Sequence, residues 1–199
     1  MISVAILLFD GVEELDAVGP WEVFAWAAKE GSPPVPMSVF TLSREGAPVT
    51  CGKGMVITPD HSFGTAPDID ILLIPGGPGT RPMIKDQEML DWVRKTASGC
   101  TWITSVCTGA MVLAQAGLAK GKRITTYHDM VEPMRQWSDA DVLSGVRFVR
   151  DGNLVTSAGV SAGIDMALWL VGEVAGPDYA RKVQQGIEYF PAPPYSYEV

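Results

Sequence analysis

Short, largely apolar runs at residues 4–9, 37–42, 69–74 and 102–106 alternate with longer segments whose apolar residues recur at helical spacing. Runs that are too short for helices and largely apolar on both alternations suit strands whose two faces are both covered, as in a parallel sheet between helical layers. The pattern therefore specifies an α/β fold with a mostly parallel sheet. A shorter run at 123–126 extends the series. Helical spacing is read over 15–30, 86–97, 109–116 and 130–137, with Pro20 placed to start a turn of helix.

The second half departs from this alternation. Residues 147–156 are two short β runs around Asp151-Gly-Asn153, a strong hairpin signal. Residues 161–174 and 178–189 read as helices divided by Gly176-Pro177, and Pro191-Ala-Pro-Pro-Tyr195 is too rich in proline for helix and is expected to run extended over the surface. Gly31-Ser-Pro-Pro-Val-Pro36 reads as a loop. With no repeat or linker in 199 residues, a single domain spanning 1–199 is expected.

Composition narrows the function classes. A formal charge of −8 with scattered Lys and Arg argues against nucleic acid as a partner. No apolar stretch reaches the length of about 20 residues that spans a bilayer, so no membrane role is expected. Cys51, Cys100 and Cys107 fall at no metal-ligand spacing and only His61 and His128 are present, which disfavours a metal site or a disulfide framework. The first apolar run has no basic region before it and no cleavage site after it, and it is read as a strand of a cytoplasmic protein.

Within the strand ending at Val106, the chain meets Cys107 and turns into helix. A side chain on such an elbow projects at the carboxyl edge of the sheet, and the next backbone N–H groups point beside it. The arms nearly touch, so small flanking residues are needed; Ser105 and Gly109 supply them. Amide groups and the helix dipole at that position favour the thiolate, so a lowered Cys107 pKa is expected of a nucleophile. The bland alternative is a buried cysteine acting as a small hydrophobe.

Ligands of parallel sheets bind outside the carboxyl ends of the strands, and three loops there carry further chemistry. Asp10-Gly-Val-Glu-Glu-Leu-Asp16 opens the first helix. Helix-start electrostatics account for Glu13, whereas Glu14 and Asp16 are candidates to hydrogen-bond the sulfur or relay a proton; apolar neighbours at Asp16 would raise its pKa. Pro75-Gly-Gly-Pro-Gly79 lacks the lysine and hydroxyl of a phosphate loop and is read as a tight turn that brings the Gly77 amide to an oxyanion site with that of Thr108. Thr125-Thr-Tyr-His-Asp129 puts Tyr127 and His128 at a crevice end, where His128 is either a pocket group or a solvated helix-start residue. His61 reads as a surface-loop residue. Of the aromatic residues, Trp21, Trp26, Tyr127, Trp137 and Phe190 are the ones that bear on pocket shape.

These residues resemble the ThiJ/PfpI superfamily. The resemblance rests on Leu7-Leu-Phe-Asp-Gly-Val-Glu-Glu-Leu-Asp16 with Gly19-Pro20, Pro75-Gly-Gly-Pro-Gly79, Thr104-Ser-Val-Cys-Thr-Gly109, Gly121-Lys-Arg-Ile-Thr-Thr126, Arg150-Asp-Gly-Asn-Leu-Val-Thr156, Ser161-Ala-Gly-Ile-Asp165 and Glu188-Tyr-Phe-Pro-Ala-Pro-Pro194. It implies a flavodoxin-like three-layer sandwich with a nucleophile elbow, related to class I glutamine amidotransferases. Within the superfamily the likeness is to isonitrile hydratases and to the ligand-binding domains of AraC-type regulators. The first of these implies Cys107 as nucleophile, Asp16 as acid and Thr108 beside them, a small-molecule isonitrile hydrated to an N-substituted formamide, no cofactor, and a homodimer. Many relatives have a histidine directly after the paired threonines, where this chain has Tyr127, so a Cys/His dyad and the amidase or peptidase activity it supports are less expected.

Two other readings stand beside the lyase. One is a ligand sensor, although with the chain ending at Val199 a helix-turn-helix region after the domain is not expected. The other is a redox or stress thiol protein, or one acting on reactive carbonyls in the manner of glyoxalases and deglycases, which needs a low-pKa Cys107.

Overall fold

The computed structural model describes residues 1–31 and 33–191, so the expected extended tail at 191–195 lies almost wholly outside the described residues. Its strands are β1 (Ile2–Leu7), β2 (Met37–Ser43), β3 (Val49–Thr50), β4 (Val56–Ile57), β5 (His61–Ser62), β6 (Ile71–Ile74), β7 (Trp102–Val106), β8 (Arg123–Ile124), β9 (Asp141–Val142), β10 (Phe148–Asp151) and β11 (Leu154–Ser157). Helices are α1 (Glu14–Lys29), α2 (Thr80–Met83), α3 (Gln87–Ala97), α4 (Gly109–Gln115), α5 (Val131–Trp137), α6 (Ala162–Ala175) and α7 (Pro177–Gly186).

Seven strands form one sheet in the order β10-β11-β7-β6-β1-β2-β5, and within it only the β10–β11 hairpin is antiparallel. All four residues of β6 are buried, as a strand covered on both faces requires. One helical layer is α1, α6 and α7, which pack on one another; α2 and α3 pack against α4 in the other. The hairpin turns where expected, with Gly152 at φ 64°.

Several local expectations are corrected. Pro20 does not start a turn but lies inside α1 and is buried. It has no N–H to donate to the carbonyl four residues back, which is that of Asp16. The same stretch lets α1 and α6 cross closely: a Cβ on Gly19 would sit 3.0 Å from Ile164 Cγ1, and one on Gly163 would sit 3.2 Å from Pro20 Cγ. His61 belongs to the edge strand β5 rather than a loop, half-buried and edge-on to the Phe40 ring. Strand β1 begins at Ile2 and β6 only at Ile71, and the two-residue strands β3, β4, β5 and β9 have no counterpart in the sequence reading.

Candidate active site

Cys107 joins β7 to α4 at φ 56°, in the left-handed region that an ordinary side chain avoids at a cost of about 1–2 kcal/mol. The turn is held from several sides. Its N–H is shared between the Ser157 and Ala158 carbonyls at 3.2 and 3.1 Å, and Thr126 Oγ1 donates to its carbonyl at 2.9 Å. Gly109 is needed as expected, since a Cβ there would collide with the Ile74 carbonyl oxygen. Gly76 is needed as well: a Cβ would lie 2.5 Å from Thr108 N and 2.8 Å from Cys107 Cβ. The elbow and the glycine loop thus approach one another backbone to backbone.

Asp16 comes into this junction from α1 and is fully buried. Its Oδ2 accepts from the Gly76 N–H at 2.8 Å, while among the described residues Oδ1 has no hydrogen-bond partner. Burial pushes its pKa up from 3.8 to about 7, opposed by the Gly76 bond, reinforced by the Glu13 charge, and eased slightly by the Cys107 thiol and Lys53. The expectation of a raised acid next to the sulfur matches this geometry.

The thiol itself is a correction. Burial of the sulfur and the Asp16 charge push the Cys107 pKa up to about 12, and these outweigh the Thr108 and Val160 N–H groups and the Thr108 hydroxyl, which lower it. At neutral pH the resting group is a thiol, not the thiolate that the elbow alone suggests. A thiol raised this far counts against both reactive-cysteine readings unless a neighbouring base takes its proton.

Gly77 also departs from expectation. Its N–H donates to Thr108 Oγ1 at 2.9 Å, and its carbonyl accepts from Thr80 Oγ1 at 2.8 Å and Arg81 Nη1 at 3.0 Å, so its amide is already committed and does not face the sulfur. The other backbone N–H that draws the Cys107 pKa down is that of Val160, in the loop after β11. That loop also sits at a carboxyl end, and Val160 has φ 47°, a strained conformation for a β-branched residue. The rule that pointed to the other loops covers this one; its sequence carries no special residue to draw attention.

Glu14 bonds to the β3–β4 turn. Its Oε1 accepts from the Lys53 N–H at 2.7 Å and fastens the β3–β4 turn to the start of α1, and these bonds hold its pKa below the usual value despite desolvation, the largest influence, which acts the other way. Lys53 pairs with Glu13. Tyr127 lines a cavity of about 320 Å³ beside Val160, together with Thr126, Val131, Val146 and Arg147, and its ring lies so close on the backbone that a Cβ on Gly159 would be 2.6 Å from it. His128 borders the same cavity, but its side chain is 74% exposed and its Nδ1 is paired with Asp129 at 2.9 Å. Trp26 packs against Gly186, Trp21 borders a separate cavity outside α1, and Trp137 and Phe190 are exposed.

A cysteine on a left-handed strand-to-helix turn, with a buried acid from the first helix beside it, defines the class: an α/β elbow protein with sulfur at the elbow. The DJ-1/PfpI family profile matches residues 2–173, and the chain belongs to that family. It is 40% identical over 197 residues to an isonitrile hydratase of Pseudomonas putida, covering 98% of this chain and 81% of that relative. It is 28% identical to Drosophila melanogaster protein dj-1beta, covering 93% of this chain and 96% of that one. Among solved structures, a ThiJ/PfpI family protein from Pseudomonas syringae superposes with a TM-score of 0.87 at 33% identity over 97% of this chain and 77% of the other. An AraC family regulator from Pseudomonas putida, with a TM-score of 0.80 and 18% identity, shares the fold. Among the described residues no helix is long and apolar enough to cross a membrane.

Proposed function

We propose that this chain is a lyase of the isonitrile hydratase type, with Cys107 as nucleophile and Asp16 as proton carrier. The observation that carries the reading is the buried Asp16 carboxyl, fixed by the Gly76 amide next to a neutral thiol and poised to titrate at about 7. The 40% identity to an isonitrile hydratase supports the reaction type.

Ionised Asp16 takes the thiol proton as sulfur bonds to the isonitrile carbon, and then delivers it to that carbon, giving an S-linked thioimidate with an N=CH bond. Water adds to the same carbon; its proton passes through Asp16 to the nitrogen. The C–S bond then breaks, and the hydroxyl proton returns to sulfur as the N-substituted formamide leaves. The Thr108 and Val160 N–H groups, which already draw the Cys107 pKa down, stabilise negative charge as it builds on the reacting atoms. The cavity next to Val160 takes the substituent on nitrogen.

Homodimer assembly is part of the proposal. Val18 on α1 and Met55 beside β4 border one outer cavity, and both are exposed together with Leu15 and Val56. Analytical ultracentrifugation tests the dimer. For the activity, purified protein should hydrate cyclohexyl isonitrile and Cys107→Ala should abolish this; no turnover across a broad isonitrile panel would overturn the assignment.

A further inference from the structure

The cavity of about 320 Å³ between the loops after β8, β9 and β11 lies against the backbone of the elbow. Two of its lining residues are bonded to Cys107 itself: Thr126 Oγ1 donates to its carbonyl at 2.9 Å, and the Ala158 carbonyl accepts its N–H at 3.1 Å. Ligand pockets run from about 300 to 1,000 Å³, so this one is at the small end and suits a single compact group. The charged residues on its wall are already committed. Arg147 is paired with Asp165, and His128 Nδ1 with Asp129 at 2.9 Å. What the wall offers a ligand is therefore apolar surface, from Tyr127, Val131 and Val146. Val146 is 37% exposed, and an apolar group bound there would take that surface out of water.

Tyr127 bounds this space. Its ring lies on the Gly159 backbone, where an added Cβ would come within 2.6 Å of Cδ2 and 3.2 Å of Cε2. It also packs against the His128 ring, with centroids 4.2 Å apart. The Tyr127 ring cannot retreat toward Gly159, so a larger ligand meets it as a wall.

We infer that Tyr127 determines specificity by size: the cavity takes an uncharged, apolar substituent on the isonitrile nitrogen, and the ring of Tyr127 is the wall that limits its bulk. The name of the substrate rests on the isonitrile hydratase reading. The wall does not, because alkylation of Cys107 reports the same space without turnover.

Two iodoacetamides, N-cyclohexyl and N-(1-adamantyl), are compared by mass spectrometry of the Cys107 peptide, and the two corresponding isonitriles by kcat/KM. Tyr127→Ala should raise the adamantyl-to-cyclohexyl ratio by about tenfold or more in both assays, since even one methylene in an apolar pocket is worth that much discrimination. Tyr127→Phe keeps the ring and should leave both ratios at their wild-type values. Val146→Trp narrows the cavity from its exposed side and should lower the ratios, which keeps the test open if Tyr127→Ala does not fold. Iodoacetylglycine should alkylate Cys107 about fivefold or more slowly than its methyl ester, because its carboxylate meets no free cation in the cavity. Unchanged ratios in folded Tyr127→Ala or Val146→Trp overturn the inference, and so does a shift in Tyr127→Phe as large as in Tyr127→Ala. Equal rates for iodoacetylglycine and its ester overturn the apolar assignment. Shifted alkylation ratios without any isonitrile turnover count against the proposed activity only.

Discussion

The Gly76 amide donates to Asp16 Oδ2 across 2.8 Å, joining the loop after β6 to the first turn of α1 directly beside Cys107. A carboxyl held by one amide and otherwise desolvated has a defined position and a raised pKa, the two properties a proton carrier needs. Raised to about 7, Asp16 is ionised and able to accept the thiol proton only on the alkaline side of that value. The kcat/KM for an isonitrile should therefore rise with pH through about 7 and level off. Asp16→Asn should lower kcat/KM by about 10²–10⁴ and remove the rise. A pH–rate profile of both proteins checks this.

The same carboxyl links stability to pH. Between 3.8 and about 7, native Asp16 keeps a proton that the unfolded chain has released, so stability falls as pH rises through this window. The contribution is fully present below 3.8 and lost above about 7, where the buried charge costs about 4 kcal/mol. Asp16→Asn keeps an acceptor for the Gly76 N–H and has no charge to bury. Its stability relative to wild type should therefore increase from pH 4 to pH 8, as urea unfolding at several pH values will show. An offset independent of pH would contradict the raised carboxyl.

What the sequence made legible follows from whether a residue's role is local. Strand β7 and helix α4 were readable to the residue or nearly so, because a β-branched run, a lone cysteine and small flanks determine an elbow locally. Strands β3, β4 and β9 were not, since a two-residue strand has too little pattern of its own and exists only through its pairing. The use of the Gly77 amide was not legible because the direction of an N–H in a glycine loop depends on its dihedrals, here φ 119° at Gly77, and on where Thr108 folds over it to take that N–H. The raised thiol pKa was hidden for a related reason: elbow amides are visible in sequence, and depth of burial is not. His128 turned outward, as its one-place offset from the family position allowed.

Gly76 tests the close approach of the two loops. A methyl group there meets the Thr108 amide nitrogen at 2.5 Å and Cys107 Cβ at 2.8 Å, and both are backbone or backbone-attached atoms that cannot swing aside. Gly76→Ala should destabilise by about 1–3 kcal/mol and lower activity more than its stability loss explains, because relief of the clash shifts either the elbow or Asp16. Thermal unfolding alongside kcat separates the two effects. Gly54, with no atom within 4 Å of its added Cβ, provides a control that keeps the site, although its φ of 99° carries its own strain.

Thr108 joins the buried polar chain that fixes the glycine loop. Its Oγ1 accepts from the Gly77 N–H at 2.9 Å and lies 3.1 Å from Thr80 Oγ1, and both threonines are buried. Thr108→Val preserves shape but leaves the Gly77 amide without an acceptor, at a cost of about 1–3 kcal/mol. Thr108→Ser keeps the hydroxyl and should lose far less. Because Gly76 follows the same turn, the valine variant should also weaken the Gly76–Asp16 bond, freeing the carboxyl of a group that holds its pKa down. The acid limb of the pH–rate profile should then move above its wild-type position in Thr108→Val and stay in place in Thr108→Ser, so the serine variant distinguishes a lost hydroxyl from a lost methyl.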